Sequence, residues 1–173
     1  QSLANATHSH VVVGLENESI SACGTPEVFN AALLFRPFTE YFDRYVKRIL
    51  VPMGEYIPFQ WAKTIAAKYG ISDSFTPGKE AMLFESGAHT IAASVCYEET
   101  FSDLIRRSRL EGATLLVNLT DDYWFPHSKL GVQHFDHGKP RSVENGMPLL
   151  RACNFGVSGV IDSLGRTIFV CEG

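Results

Sequence analysis

The sequence contains no apolar run near the length of a membrane-spanning helix. About 20 consecutive apolar residues are needed to cross a bilayer, and no stretch of the 173-residue chain approaches that length. Residues 1–10 also lack the charged start and apolar middle of a signal peptide. Because the chain begins without Met and ends on a strand-like run at residues 167–171, we expect it to be a piece of a longer protein.

The net charge is small and the cysteines are few, which disfavours several kinds of binding site. The net charge is −4 and the isoelectric point is about 5.8, so no phosphate-binding surface and no nucleic-acid partner are expected. The four cysteines (Cys23, Cys96, Cys153 and Cys171) form no CxxC pair, which disfavours structural zinc and thioredoxin-type sites. We therefore predict neither a cofactor nor a metal.

A histidine-rich stretch is the remaining candidate for a metal site. His134 and His137 have the i, i+3 spacing that zinc could use on a helix, and His127 lies nearby. No recognisable pattern fixes a third ligand, so the stretch does not change the prediction.

The residues that are present describe one folded α/β domain over residues 1–173. Hydrophobic residues make up 45% of the chain, and strand-like and helix-like segments alternate without a linker or repeat. Strands are predicted at residues 10–14 and 49–51, with a loop at 16–26, and a helix at 59–69. A further helix at residues 133–145 is expected to be interrupted by Gly138 and Pro140.

The strongest local feature is Cys96, at the end of an apolar strand and just before a helix. Backbone N–H groups and the helix dipole at such a position favour the thiolate. The N–H of Tyr97 could also stabilise an oxyanion. A cysteine at a strand end is more often a packing residue, so this feature alone assigns no function.

A second feature places Lys47 before a short strand and Glu55 after it, at a glycine turn. A lysine beside a thiol lowers the pKa of the thiol, so Lys47 and Cys96 make a physically sensible pair.

Together these features resemble the nitrilase superfamily, and within it the apolipoprotein N-acyltransferase branch. The resemblance rests on four ordered motifs, which are far more specific together than singly. They are Lys47 with the run Leu50 to Pro58; Cys96, Tyr97, Glu98 and Phe101; Thr120, Asp121, Asp122, Trp124, Phe125, Gln133, His134 and Phe135; and Arg141, Glu144, Pro148, Leu149, Leu150, Arg151, Asn154, Gly156 and Ser158.

The resemblance implies a fold and a reaction. The fold is a nitrilase-type four-layer α-β-β-α sandwich, incomplete at the N-terminus. Cys96 would take an acyl group from a phospholipid as a thioester, while Lys47 and the Tyr97 N–H hold the oxyanion. The acyl group would then pass to the N-terminal amine of an apolipoprotein, on the extracytoplasmic side of the bacterial inner membrane.

The resemblance also implies supporting residues around that reaction. Glu55 and Glu98 would orient Lys47 or the nucleophile turn, and Tyr97 could also act through its side chain. Substrate binding is expected from Tyr56, Trp124 and Phe125, whose aromatic rings suit acyl chains.

One expected residue, the family's triad glutamate, has no counterpart in the sequence. Glu27 lies too close to Lys47 in the chain to match it, and Glu16 and Glu18 align downstream of it. We therefore expect a chain that lacks its first strand or strands, is inactive alone, and associates through an unpaired sheet edge.

Two other functions are also compatible with the sequence. A soluble carbon–nitrogen hydrolase of the same superfamily would act on a small amide or nitrile. A non-catalytic binding module with the same fold would explain the absent glutamate.

Overall fold

Two β-sheets dominate the computed structural model, which describes residues 1–21, 23–59, 75–123 and 128–172. The first sheet contains three strands in the order β1-β2-β3, and the second contains six in the order β4 to β9. The strands are β1 Val11–Ile20, β2 Pro26–Phe35, β3 Phe42–Val46, β4 Leu83–Ser86, β5 His89–Val95, β6 Leu115–Asp121, β7 Leu149–Asn154, β8 Val157–Ile161 and β9 Thr167–Glu172. The helices are α1 Ser2–Thr7, α2 Ser102–Leu110 and α3 Leu130–Asn145, with a 3-10 turn at Cys96–Thr100.

The two sheets pack face to face because alternate residues of their strands are apolar. On β5, Ile91, Ala93 and Val95 join a buried cluster with Ala32 and Leu34 of β2. The alternation of side chains along a strand sends Ala92 to the opposite face of the same sheet.

That opposite face is covered by α2 and α3. Ile105 of α2 and Phe135 of α3 pack on Leu116, Leu149 and other residues of the six-stranded sheet. The layers in the described part of the chain are therefore helix, sheet and sheet. Among these residues no helix is both long enough and apolar enough to cross a bilayer.

The middle of the larger sheet determines where a site can form. Strands β5, β6 and β7 run parallel, so their carboxyl ends meet at one edge of the sheet. Cys96 follows β5 and Asp122 follows β6 at this edge. Ligands of open α/β sheets bind outside the carboxyl ends of such strands.

Two of the predicted local structures are wrong, both because tertiary contacts override local sequence. Residues 16–20, expected in a loop, belong to β1 and pair with residues 26–30 of β2. Residues 49–51, expected as a strand, form none. Their backbone donors bind carboxylates instead, from Ile49 to Glu98 and from Val51 to Glu55.

The expected interruption of the second helix is also wrong, since α3 runs unbroken from Leu130 to Asn145 with Pro140 inside it. Pro140 is exposed, as is Asp136, whose carbonyl loses its helical partner and can be hydrated. The opposite side of α3, including Phe135 and Gly138, is buried on the sheet. This packing outweighs the poor local propensity.

One predicted element is not tested, and two observed elements were not predicted. The helix predicted at residues 59–69 lies almost wholly outside the described residues. Strand β3 and helix α1 have no counterpart among the predicted elements. β3 is important for the site, since it carries Tyr45 and leads directly into Lys47.

Strand β9 is an edge of the described sheet, and it exposes Ile168, Phe169 and Val170. An exposed apolar edge is a template for association. We predict that the isolated chain self-associates and that Ile168→Lys shifts it toward monomer in sedimentation-velocity experiments. Leu164→Lys, in the exposed turn before β9, is the matched control and should leave association unchanged. A monomeric wild-type chain would contradict this prediction.

Candidate active site

Cys96 begins the 3-10 turn that follows β5, and its backbone is left-handed, with φ of 54°. A residue other than glycine in this region costs about 1–3 kcal/mol, so the surrounding structure must hold it there. Asn118 of β6 contributes directly, because its Nδ2 donates to the Cys96 carbonyl at 2.9 Å. The Cys96 side chain is half-buried and lines a cavity.

Glu98 ties the same turn to the segment around Lys47. The carboxylate is fully buried. It accepts hydrogen bonds from the backbone N–H groups of Val95 at 2.8 Å, Arg48 at 2.7 Å and Ile49 at 3.1 Å, and from the Tyr45 hydroxyl at 3.0 Å. Burial raises the pKa of Glu98, and these hydrogen bonds oppose the rise by favouring the ionised form. Glu98 thus connects the nucleophile turn to the backbone of residues 48 and 49.

Lys47 is fully buried, and its ammonium binds Glu55. The distance from Nζ to Glu55 Oε1 is 2.7 Å. Glu55 also accepts from Asn30 Nδ2 at 2.9 Å and from the Val51 N–H at 2.8 Å. With three donors on its two oxygens, Glu55 is suited to holding Lys47 in place.

Three of the predicted residues, Cys96, Tyr97 and Glu55, line a cavity of about 600 Å³. Its walls come from the segment before Tyr56, the nucleophile turn, the end of β6 and one face of α3. They comprise Val51, Pro52, Met53, Gly54 and Glu55; Cys96, Tyr97 and Thr100; Asp121 and Asp122; and Leu130, Gln133, His134 and His137. Since Glu55 lines the cavity, the Lys47–Glu55 pair lies at its wall.

Tyr97 is held in place by its ring, which packs edge-on against Phe101 with centroids 4.9 Å apart. Burial raises the pKa of the Tyr97 hydroxyl, and the nearby Tyr56 and Glu55 raise it further. The phenol therefore stays neutral and can donate a hydrogen bond. Tyr56 lies beside the cavity wall, because its carbonyl accepts from the N–H of Met53 at 2.8 Å. Trp124, Phe125 and His127 lie outside the described residues.

A second buried cluster lies against the nucleophile turn, formed by Glu99, Asp122, His134 and Arg151. Arg151 Nη1 donates to Glu99, and Nη2 donates to Asp122 Oδ2 at 3.2 Å. His134 lies between the carboxylates, with Nδ1 2.8 Å from Asp122 and Nε2 3.4 Å from Glu99. Among the described residues no group of three or more His, Cys, Asp or Glu has metal-binding geometry.

The sequence that forms this site matches a known family. The carbon–nitrogen hydrolase family profile matches residues 1–172. The chain belongs to this family. It is 39% identical to the apolipoprotein N-acyltransferase of Chlamydia caviae over 97% of the chain, and 40% identical to that of Chlamydia muridarum over 92%. The corresponding protein of Geobacter metallireducens is 39% identical over 79% of the chain.

Solved structures agree on the fold. The chain superposes on Nit3 of Saccharomyces cerevisiae, a member of branch 10 of the nitrilase superfamily, with a TM-score of 0.71 and 17% identity. An amidase of Nesterenkonia sp. AN1 gives a TM-score of 0.68 at 20% identity. The predicted nitrilase-type fold is thereby confirmed. In both comparisons 99% of this chain is covered, with 58% of Nit3 and 62% of the amidase.

This carbon–nitrogen hydrolase chain spans only part of its relatives. It covers 32% of the Chlamydia caviae protein, 30% of the Chlamydia muridarum protein and 26% of the Geobacter metallireducens protein. Activity, substrate and partners of the whole protein are therefore matters for proposal.

Sequence reasoning missed the roles of Glu99 and Arg151. Arg151 stands in the fourth motif, and Asp122 and His134 stand in the third, but the motifs do not show that these residues meet. Glu99 carried no signal beyond its position next to Glu98. The burial of its side chain depends on the tertiary fold and is not indicated by the neighbouring residues.

The Lys47–Glu55 pair generates a stability prediction. Removing one member of a buried pair leaves an uncompensated charge and costs about 3–5 kcal/mol. We expect Glu55→Ala to lower the free energy of unfolding in urea by about that amount. Adding Lys47→Met should restore much of the loss, because the stranded ammonium is then absent.

The exposed pair of Lys139 and Asp136, 2.6 Å apart, supplies the control. Asp136→Ala should cost less than about 1 kcal/mol, since solvent screens that pair. Equal losses from Glu55→Ala and Asp136→Ala would contradict the assigned burial of Lys47.

Glu99 generates a pH prediction. Burial raises its pKa from 4.5 to about 7, although Arg151 and His134 favour the ionised form. The folded state thus binds this proton more tightly than the unfolded chain does, so the group stabilises the fold at low pH. Its contribution, on the order of 3 kcal/mol, is lost as the pH rises from about 4.5 through about 7.

Glu99→Gln removes this proton while keeping a hydrogen-bond acceptor for Arg151. We expect the unfolding free energy of Glu99→Gln minus that of the wild type to increase between pH 4.5 and 7. Urea unfolding of both proteins at matched pH values measures the difference. A difference that is constant over this range would show that Glu99 is ionised throughout.

Proposed function

We propose that this chain carries the nucleophile of an apolipoprotein N-acyltransferase. In this reaction a fatty acyl group moves from a phospholipid to the N-terminal amine of a diacylglyceryl-cysteine lipoprotein. The observation that carries the proposal is the cavity in which Cys96, Tyr97 and Glu55 meet beside the buried Lys47. Relatives of that name, 38–43% identical to this chain, support the choice of reaction.

In the first half-reaction Cys96 attacks the ester carbonyl of the phospholipid. A C–S bond forms, the ester C–O bond breaks, and the lysophospholipid leaves with the proton that the thiol loses. The Lys47 ammonium and the Tyr97 N–H stabilise the oxyanion that develops on the carbonyl oxygen. The thioester on Cys96 is the acyl-enzyme.

In the second half-reaction the amine of the lipoprotein attacks the thioester carbonyl. The C–N bond forms, the C–S bond breaks, and the amine proton returns to the thiol by way of a general base. The product is an amide, and Cys96 is regenerated for the next phospholipid.

The general base is not assigned to a described residue. Glu55 already accepts three hydrogen bonds, and Glu98 accepts four, so neither is free to take the thiol proton. We propose that a glutamate outside this sequence supplies the base. The 173-residue chain alone should then form no acyl-enzyme.

The apolar wall of the cavity suits the acyl chain. Val51, Pro52, Met53 and Leu130 line it and offer no charged group to a fatty chain. We propose that Tyr56, together with Trp124 and Phe125, extends this acyl-binding wall. The site would then face phospholipid on the extracytoplasmic side of the bacterial inner membrane.

The test is intact-mass spectrometry of the full gene product after incubation with phospholipid. We expect wild-type protein to gain the mass of one acyl group and Cys96→Ser to gain none, because only the thiolate carries the thioester. Cys153→Ser is the matched control. Burial, with Asp122 nearby, raises the pKa of the Cys153 thiol to about 12, so Cys153 should not react.

An unmodified wild-type protein that is folded would contradict the proposal. In that case a hydrolase of small amides, which shares the fold, would be the better explanation of the site. An adduct on Cys96→Ser that peptide mapping places at any position other than 96 would show that the acyl group is carried elsewhere.

A further inference from the structure

We infer that Arg151 is the positioning residue of the nucleophile turn, acting on Cys96 through Asn118 and Glu99. The inference rests on the proposed function only in taking Cys96 as the reacting group. It concerns three motif residues to which the proposed reaction assigns no role: Asp122, His134 and Arg151.

The first contact runs from Arg151 through Asn118. The side-chain amide of Asn118 can bind both Arg151 and the Cys96 carbonyl in only one orientation. Its Oδ1 accepts from Arg151 Nη1 at 3.0 Å, and its Nδ2 donates to the Cys96 carbonyl at 2.9 Å. A guanidinium has no acceptor, so it can bind only the oxygen end of the amide. Arg151 therefore fixes the amide orientation in which Asn118 presents its donor, and not its acceptor, to the Cys96 carbonyl.

Strand register makes this contact possible. Ser94, Asn118 and Arg151 are partners across the parallel strands β5, β6 and β7. Their side chains form one polar row through a buried sheet, and Asn118 Nδ2 also donates to Ser94 Oγ at 3.0 Å. The row ends at Ser94, two residues before Cys96, and Asn118 reaches the Cys96 carbonyl directly.

The second contact is direct. Arg151 Nη1 also donates to Glu99, three residues after Cys96 in the same turn. Arg151 thus holds the turn at two points, the Cys96 carbonyl through Asn118 and the Glu99 side chain. Glu98 and Glu99 are consecutive but point to different partners, Glu98 to residues 45–49 and Glu99 to β7.

The guanidinium is itself fixed on its remaining nitrogens. Nη2 donates to Asp122 Oδ2 at 3.2 Å, and Nε donates to the Val157 carbonyl at 3.2 Å. His134 binds the other oxygen of Asp122. A planar group with five donors meets these demands at once, whereas the single ammonium of lysine does not.

The role predicts a specific effect on the thiol. With the turn held, Cys96 keeps the left-handed backbone that presents its side chain to the cavity. When the turn relaxes, the thiol leaves that position and reacts more slowly. Alkylation by iodoacetamide reports the reactivity of the thiol and needs no lipid, so it tests the inference even if the proposed acyl transfer fails.

The experiment compares Arg151→Lys and Asn118→Leu with wild type, using the full gene product. Alkylation of Cys96 is followed by peptide mass spectrometry from about pH 6 to about pH 10, with exposed Cys23 of the same sample as reference. We expect the Cys96 rate, relative to that of Cys23, to fall about threefold or more in both variants across this range. Where acyl transfer is measurable, kcat should fall about tenfold or more with KM nearly unchanged.

Two further variants separate positioning from folding. Met147→Ala truncates a fully buried side chain of the helix-side core just before β7, at the opposite end of that strand from the carboxyl edge where the turn lies. It should lower the melting temperature without changing the Cys96 rate. Glu99→Leu removes the second point at which Arg151 holds the turn and should lower the Cys96 rate.

The inference is overturned if folded Arg151→Lys and Asn118→Leu give the same Cys96 rates as Met147→Ala. If Arg151→Lys does not fold, Asn118→Leu decides alone, because it is nearly isosteric and uncharged and removes the donor to the Cys96 carbonyl. Wild-type Cys96 rates in a folded Asn118→Leu protein would equally overturn the inference.

Discussion

The left-handed backbone of Cys96 is the constraint on which the site depends. Such a conformation persists only when neighbouring groups fix it from several directions. Here the fixing groups belong to the Lys47 segment and to β6. Glu98 binds the backbone of the Lys47 segment, and Asn118 binds the Cys96 carbonyl. The nucleophile turn and the lysine are thereby parts of one hydrogen-bonded unit.

Buried charge is balanced locally throughout this unit. Lys47 faces Glu55, and the guanidinium of Arg151 faces the carboxylates of Glu99 and Asp122. An unpaired charge at these positions would cost several kcal/mol, so each pair depends on both members. In the proposed reaction, the same low dielectric would strengthen the field of Lys47 on the oxyanion.

The sequence predicts some parts of this arrangement well. An apolar strand that ends on Cys96 and a lysine before a glycine turn are visible in the residues, and four ordered motifs point to the nitrilase-type fold. The side-chain contacts of Glu55 and Glu98 fit the orienting roles expected of them. Their catalytic importance, like that of Tyr56, Trp124 and Phe125, stays a prediction.

Other parts could not be read from the sequence because they depend on distant contacts. The segment 49–51 looks extended, yet its N–H groups bind Glu98 and Glu55, which local patterns do not reveal. Pro140 is tolerated inside α3 because the opposite side of the helix is buried. Glu99 resembles an ordinary carboxylate of a helix start until β7 brings Arg151 to it.

The central claim is that Cys96 passes its acyl group to an amine and not to water. The most direct measurement isolates the acyl-enzyme of the full gene product and adds a diacylglyceryl-cysteine peptide, then identifies the acylated product by mass spectrometry. The account predicts an amide on the peptide's N-terminal amine, formed much faster than free fatty acid in the absence of peptide. Release of free fatty acid at the same rate with and without the peptide would contradict it and indicate a hydrolase.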